Sequence, residues 1–430
     1  MSNSWIIRLR KPAQTDVLIG TVLLVPFVIG ALSELLGLPW AIRYLADVAW
    51  CLLGGYLLIA KRSGVQIQEL WVLAFLGYVL LSYLPQWQSP LYFLWGVRNN
   101  FRFYVAFFAF TTFLDREKAE KIFRLFDALF WLDVAVAGVQ FCLLGLKGDH
   151  LGGLFGTQTG SNGYTNIFFL VIVVKSVVFC LDRREKIALC LAKCAAALAV
   201  AALAELKFFF VEFVLVIALA VLMTGFSWRK VLLLIAAAAG VMAGVALLTE
   251  LFPGFDGWFS WVWFREMATT DRGYTSSGDL NRLNAVEQIN RLWLKSGWKK
   301  CFGLGLGNCD TSSYPLLQTP FYEANGEMHY LWISYAALYL ETGWIGLLFF
   351  FGFFVLVFFG IGKCEKRPDD VSCSYRKVGQ MMALLCPVLA VYNSSLRAEA
   401  GYLAYFALAV PFAIARTADE RLVKRRRVNR

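Results

Sequence analysis

Residues 187–224 read IALCLAKCAAALAVAALAELKFFFVEFVLVIALAVLMT. Two apolar runs, 187–203 and 207–224, are parted only by the turn around Glu205. Each is long enough to cross a bilayer core of about 30 Å as a helix. In lipid the backbone must satisfy its own hydrogen bonds, so such runs are helical. Two crossings are expected here, and apolar runs of about 17–25 residues recur along the rest of the chain. Spans are expected near 17–36, 45–60, 70–86, 91–114, 124–146, 164–181, 187–203, 207–224, 231–251, 330–361, 378–396 and 400–416. The fold class is therefore all-α: a polytopic membrane protein of about twelve transmembrane helices. The short alternating strands of an outer-membrane barrel are missing from the pattern.

Composition agrees. The 430 residues are 59% hydrophobic and only 17% charged, against about a quarter charged in soluble proteins. The net charge of +11 is accounted for by basic cytoplasmic loops, so no nucleic acid is expected. Expected inner segments hold Lys61 and Arg62; Arg116, Lys118 and Lys121; Arg183, Arg184 and Lys186; Arg229 and Lys230; and Lys363, Lys366, Arg367, Arg376 and Lys377. The short outer loops hold little beyond Arg43, Lys147, Lys207 and Arg397. This alternation places both termini in the cytoplasm. Arg8, Arg10 and Lys11 precede the first apolar run with no small-residue cleavage site after it, so a retained first span is expected.

The organisation that follows is nine spans over 1–251, a large extracytoplasmic loop over 252–329, spans ten to twelve over 330–416, and a basic cytoplasmic tail over 417–430. The loop opens with FDGWFSWVWF (255–264), an aromatic stretch suited to the membrane interface. Ser277 or Asp279 can cap a helix running to about Trp298, with Leu283, Val286, Ile289, Asn290 and Trp293 along one stripe. Cys301 and Cys309 are a candidate pair in this loop. The remaining cysteines lie mostly in spans and form no zinc spacing.

Charges in or near spans are costly and mark sites or structural pairs. Arg98 and Arg102, one turn apart, share a helix face; they either snorkel to headgroups or line an anionic cavity. Lys207 either pairs with Glu205 or offers a cation to phosphate. Lys175 and Lys193 are expected as snorkelling or packing charges. Arg282 can present a planar fork to phosphate. The two histidines, His150 and His329, both map to the outer side. His329, with Glu327 nearby, is the stronger candidate base for a hydroxyl nucleophile. There is no P-loop, dinucleotide fingerprint, HExxH or DxD, so no metal or cofactor is expected. The outer face also lacks nucleotide donors. An enzyme there needs a donor already activated and carried across the bilayer, and a lipid-linked pyrophosphate has that chemistry.

The stretch RLNAVEQINRLWLKSGWKKCFGLGLGN (282–308) and the later GEMHYLWISYAALYLETGWIGLLFFFGFF (326–354) resemble the O-antigen ligase and O-antigen (Wzy-type) polysaccharide polymerase superfamily. Arg282, Gly303, Gly305, Gly307, His329, Glu341, Gly343 and Gly346 stand at the positions that carry the resemblance, which is strongest over about 275–355. Lys207 stands where members open a span with Arg, and Tyr330 follows His329 where members carry Asn. The resemblance implies a GT-C-like fold. It also implies inverting, metal-independent transfer of a glycan from an undecaprenyl-pyrophosphate carrier to an acceptor hydroxyl. Polymerisation of lipid-linked repeat units is the expected reaction, and ligation to lipid A–core is the alternative. A lipid or polysaccharide transporter is the rival of another class, although neither inverted repeats nor broken midplane helices are evident. The expected pyrophosphate ligands are Arg282, Lys207, Arg98 and Arg102, with His329 and Glu327 as catalytic candidates. The implied location is a bacterial cytoplasmic membrane, among membrane lipids.

Overall fold

The computed structural model describes residues 12–60, 66–224, 227–252, 262, 265, 278–364 and 371–428. Among these the secondary structure is helical, with no strand. The helices are α1 (Pro12–Leu35), α2 (Leu45–Ile59), α3 (Ile67–Tyr83), α4 (Pro90–Phe113), α5 (Arg116–Cys142), α6 (Asn162–Leu181), α7 (Ile187–Leu203), α8 (Lys207–Met223), α9 (Trp228–Leu251), α10 (Ala285–Leu292), α11 (Gly297–Phe302), α12 (Pro320–Asn325), α13 (Ser334–Lys363), α14 (Val371–Tyr392) and α15 (Gly401–Val428). Five stretches are long and apolar enough to cross a membrane: Ala41–Ile59, Ile67–Gln86, Asn162–Leu181, Trp228–Leu251 and Ser334–Lys363. Helices α1–α9 and α13–α15 fall at the twelve expected span positions.

Local signals set the helix ends. Ser89 accepts the N–H of Leu91 ahead of Pro90 and opens α4. Asp115 accepts the N–H of Lys118 and opens α5. Both side chains satisfy donors that a helix start leaves orphaned. Helix α6 is the centre of the bundle, packed by α5, α7, α8, α14 and α15. Within its apolar window 89% of the residues are buried by protein, against 17% for the peripheral α9. An apolar helix with so little protein around it leaves a hydrocarbon-like surface that suits lipid.

Several boundaries differ from expectation: α1, α5 and α14 begin earlier, at Pro12, Arg116 and Val371, and three further differences bear on the loop and the tail. The loop helix is not continuous to Trp298. It stops at Leu292, where the N–H groups of Trp293 and Leu294 both turn back to the Ile289 carbonyl at 2.9 and 3.0 Å. Ser296 then caps a separate helix, accepting from Lys299. Helix α13, at the tenth expected span, begins at Ser334, because Tyr330–Trp332 form a 3-10 turn after a left-handed His329. Helix α15 continues through the basic tail to Val428. The aromatic stretch 255–264 (Val262 apart), Arg8, Arg10, Lys11, Ser277, Lys61, Arg62, Lys366 and Arg367 lie outside the described residues.

Candidate functional site

The glycine turn after α11 is bound into α13. That helix is interrupted at Gly343, whose φ of 63° and ψ of −164° are not helical. The carbonyls of Leu340 and Glu341, just before the break, accept the N–H groups of Leu304 and Gly305 at 2.9 Å each. The approach is backbone to backbone. A Cβ on Gly303 would lie 2.3 Å from the Glu341 carbonyl carbon, and one on Gly343 would lie 2.4 Å from that of Cys301. Only glycine fits either place. The Glu341 side chain accepts the Cys309 N–H at 3.1 Å, and the Tyr330 hydroxyl donates to the Cys309 carbonyl at 2.6 Å. The resemblance-bearing glycines and Glu341 thus fasten the 303–310 turn to the membrane helices.

This fastening sets the position of Arg282 and His329. The Leu280 N–H donates to the Met328 carbonyl at 3.0 Å, so the strands of chain leading to Arg282 and His329 run side by side. The Tyr335 hydroxyl on α13 donates to the Arg282 carbonyl at 2.6 Å. The Arg282 guanidinium carbon lies 4.6 Å from the centre of the Tyr392 ring. That ring is stacked on Phe208, 4.1 Å apart and 9° from parallel. Phe208 follows Lys207, whose ammonium pairs with Glu205 at 2.8 Å. Arg282 and Lys207 are close enough for their charges to act on each other. One loop residue and one helix-opening residue therefore bring two cations together around an aromatic pair.

His329 adopts φ 51° and ψ 28°, uncommon for a side chain larger than glycine. Its ring lies flat on Trp332, 3.8 Å away and 17° from parallel. Its Nδ1 is buried without a hydrogen-bond partner. Glu327 is exposed. A constrained imidazole on a segment hydrogen-bonded to the one that carries Arg282 can serve chemistry in which a proton leaves a hydroxyl while negative charge develops on an anion.

Arg98 and Arg102 occupy a different setting. Arg98 donates to Asp47 at 2.7 Å and to Asn99 at 2.7 Å. Arg102 donates to Glu399 at 3.1 Å and to the Arg397 carbonyl at 2.7 Å. Asn99 and Arg397 both donate to Asp310, at 2.7 and 3.0 Å. The Tyr164 hydroxyl donates to Glu399 at 2.5 Å. Three arginines and three acids from α2, α4, the glycine turn and the α14–α15 connection form one network. Burial opposes ionisation of Glu399, but the Arg102 charge, the Tyr164 hydroxyl and Arg98 hold its carboxyl down at about 2. Sequence reading found Arg98 and Arg102, placed Arg397 only as an outer-loop charge, and missed Asp47, Asp310 and Glu399. Their one visible signal was charge at the ends of apolar runs.

His150 is exposed, with Nδ1 3.0 Å from the Thr157 carbonyl. Lys175 and Lys193 both pair with Asp127, and Lys193 also with Glu185. Cys301 is exposed and Cys309 buried, both free thiols, so the candidate disulfide is not formed. Among the described residues no three His, Cys, Asp or Glu side chains gather as metal ligands. No protein-family model matches the chain, and comparison with curated proteins finds no match.

Proposed function

We propose that the chain is a twelve-span membrane glycosyltransferase of GT-C-like fold, akin to the O-antigen ligase and polymerase superfamily. It acts at the outer face of a bacterial cytoplasmic membrane, with both termini inside. It moves a glycan from an undecaprenyl-pyrophosphate carrier to an acceptor hydroxyl and so polymerises lipid-linked repeat units of a surface polysaccharide. The observation that carries the reading is the convergence of Arg282, Lys207 and the His329 segment, held by the Leu280–Met328 hydrogen bond and the Arg282–Tyr392 contact.

In this reading the Arg282 fork and the Lys207 point charge hold the pyrophosphate oxygens. His329 orients the acceptor hydroxyl and takes its proton; Glu327 is the second candidate base. The hydroxyl oxygen attacks the anomeric carbon from the face opposite the pyrophosphate. The carbon–oxygen bond to the carrier breaks, the configuration inverts, and the departing pyrophosphate keeps the electron pair. Its charge is stabilised by the two cations, the kind of contact whose loss costs on the order of a hundredfold in rate. Arg98 and Arg102 are bonded to Asp47 and Glu399 and take no part in the scheme.

The test is to incubate the purified protein with lipid-linked repeats, with and without lipid A–core, and resolve the products by length. Lengthening without core is the expected result. Transfer only onto core makes the protein a ligase. Absence of any glycan transfer overturns the reading.

A further inference from the structure

The candidate site contains an aromatic residue that the reaction scheme does not use. Tyr392 is the last residue of α14. Its place is fixed from two sides. The carbonyl of the next residue, Asn393, accepts both the N–H and the hydroxyl of Ser334, at 3.1 and 2.7 Å, tying the end of α14 to the start of α13. Phe208 lies flat against the ring. With one face taken by Phe208, the guanidinium of Arg282 lies over the other. The main chain of Arg282 is held separately, by Tyr335 from α13. The arginine is therefore fixed at its backbone by one helix and at its charged end by another.

We propose that Tyr392 is a positioning residue for Arg282: its ring face sets the plane of the guanidinium toward an anionic diphosphate ligand, with Phe208 as the backing that keeps the ring flat. The inference rests on the proposed pyrophosphate site. A ring face attracts a cation through its quadrupole without competing for the N–H donors. The donors of a planar fork must lie in the plane that the ligand oxygens occupy. A ring held against the guanidinium restricts the orientations that the fork can take. Tyr392, Phe208 and Lys207 also tie this alignment to the helix that supplies the second cation.

The test reads ligand binding, not turnover. The full chain in lipid nanodiscs is titrated with geranylgeranyl pyrophosphate, a short prenyl diphosphate. Wild type should bind. Tyr392→Phe, which keeps the ring, should bind within about twofold. Tyr392→Leu should bind roughly 3- to 30-fold more weakly, the range of one cation–π contact. In an Arg282→Ala background Tyr392→Leu should add nothing, because its effect runs through the guanidinium. Equal binding by Tyr392→Leu and wild type overturns the inference alone. So does an undiminished loss in the Arg282→Ala background. Failure of wild type to bind overturns the pyrophosphate reading and this inference with it. If Tyr392→Leu does not fold, pentafluorophenylalanine at position 392 keeps the shape and reverses the quadrupole. It should bind several-fold more weakly than Tyr392→Phe, and equality between these two again overturns the proposal.

Discussion

Arg102 and Arg282 both lie over aromatic rings, on either side of the connection that joins α14 to α15, yet they are held in different ways. Arg102 is almost wholly buried, 1% exposed, beside Phe103 and Tyr402. It donates to Glu399 and lies 3.7 Å from Asp47. Arg282 is half-buried, oriented by Tyr392 and within electrostatic range of another cation, Lys207. The comparison teaches that an arginine near a membrane is read from what surrounds it, because residue type and position alone make the two alike.

The largest expected difference is in stability. Arg102→Ala leaves Glu399 buried without its main counter-charge, a loss of about 3–5 kcal/mol for a broken buried pair. Thermal unfolding in detergent should show a large drop for Arg102→Ala, and for Glu399→Ala by the same logic. Arg282→Ala should unfold within about 1 kcal/mol of wild type, the scale of a partly exposed contact. Equal destabilisation by Arg102→Ala and Arg282→Ala would erase the distinction.

Activity should divide the groups the other way. Arg282→Ala should lower glycan transfer by about 100- to 1,000-fold, the cost of one lost contact to developing charge. Arg282→Lys should recover little, since ammonium lacks the planar fork. Lys207→Arg should retain more transfer than Lys207→Ala, because that position supplies charge. Normal transfer by Arg282→Ala in a membrane assay would remove it from the site.

His329 sharpens the comparison because its group alone contains a candidate base. If the ring takes the proton, His329→Ala and His329→Gln should both lose transfer, by about 100- to 10,000-fold, while prenyl diphosphate binding persists. Measurable transfer by His329→Gln with an unchanged pH profile would mean that the ring only positions the acceptor. Normal transfer by His329→Ala would shift the test to Glu327.

The helices were legible because apolar length is a one-dimensional property. All twelve expected span positions carry a helix, though among the described residues only five stretches meet the length and composition of a crossing. The break at Trp293 was not legible, since an amphipathic stripe runs through it. The overlooked signal was Ser296–Gly297, a helix start embedded in a helical pattern. The Arg98–Arg102 pair was visible as a one-turn spacing. Its partners were not, because Asp47, Asp310 and Glu399 come from three distant segments that only packing unites. The Tyr392–Arg282 contact was invisible for the same reason, with 110 positions between the two residue numbers.

The smallest expected effect is an absence of change with pH. Glu399 has an ordinary value of 4.5 and is held down at about 2 in the folded protein. A carboxyl with a lowered folded value stabilises the fold fully above its unfolded value, and that contribution disappears as pH falls toward the folded one. From about pH 8 to about pH 5.5 the carboxylate is ionised in both states, so its contribution is constant. The stability difference between wild type and Glu399→Gln should therefore stay level across that range and begin to shrink only below about pH 4.5. Unfolding midpoints measured across that range give the curve. A stability difference that already shrinks between about pH 8 and about pH 6 would mean that Arg102 does not hold Glu399 as a carboxylate, and the contrast with Arg282 would lose its electrostatic basis.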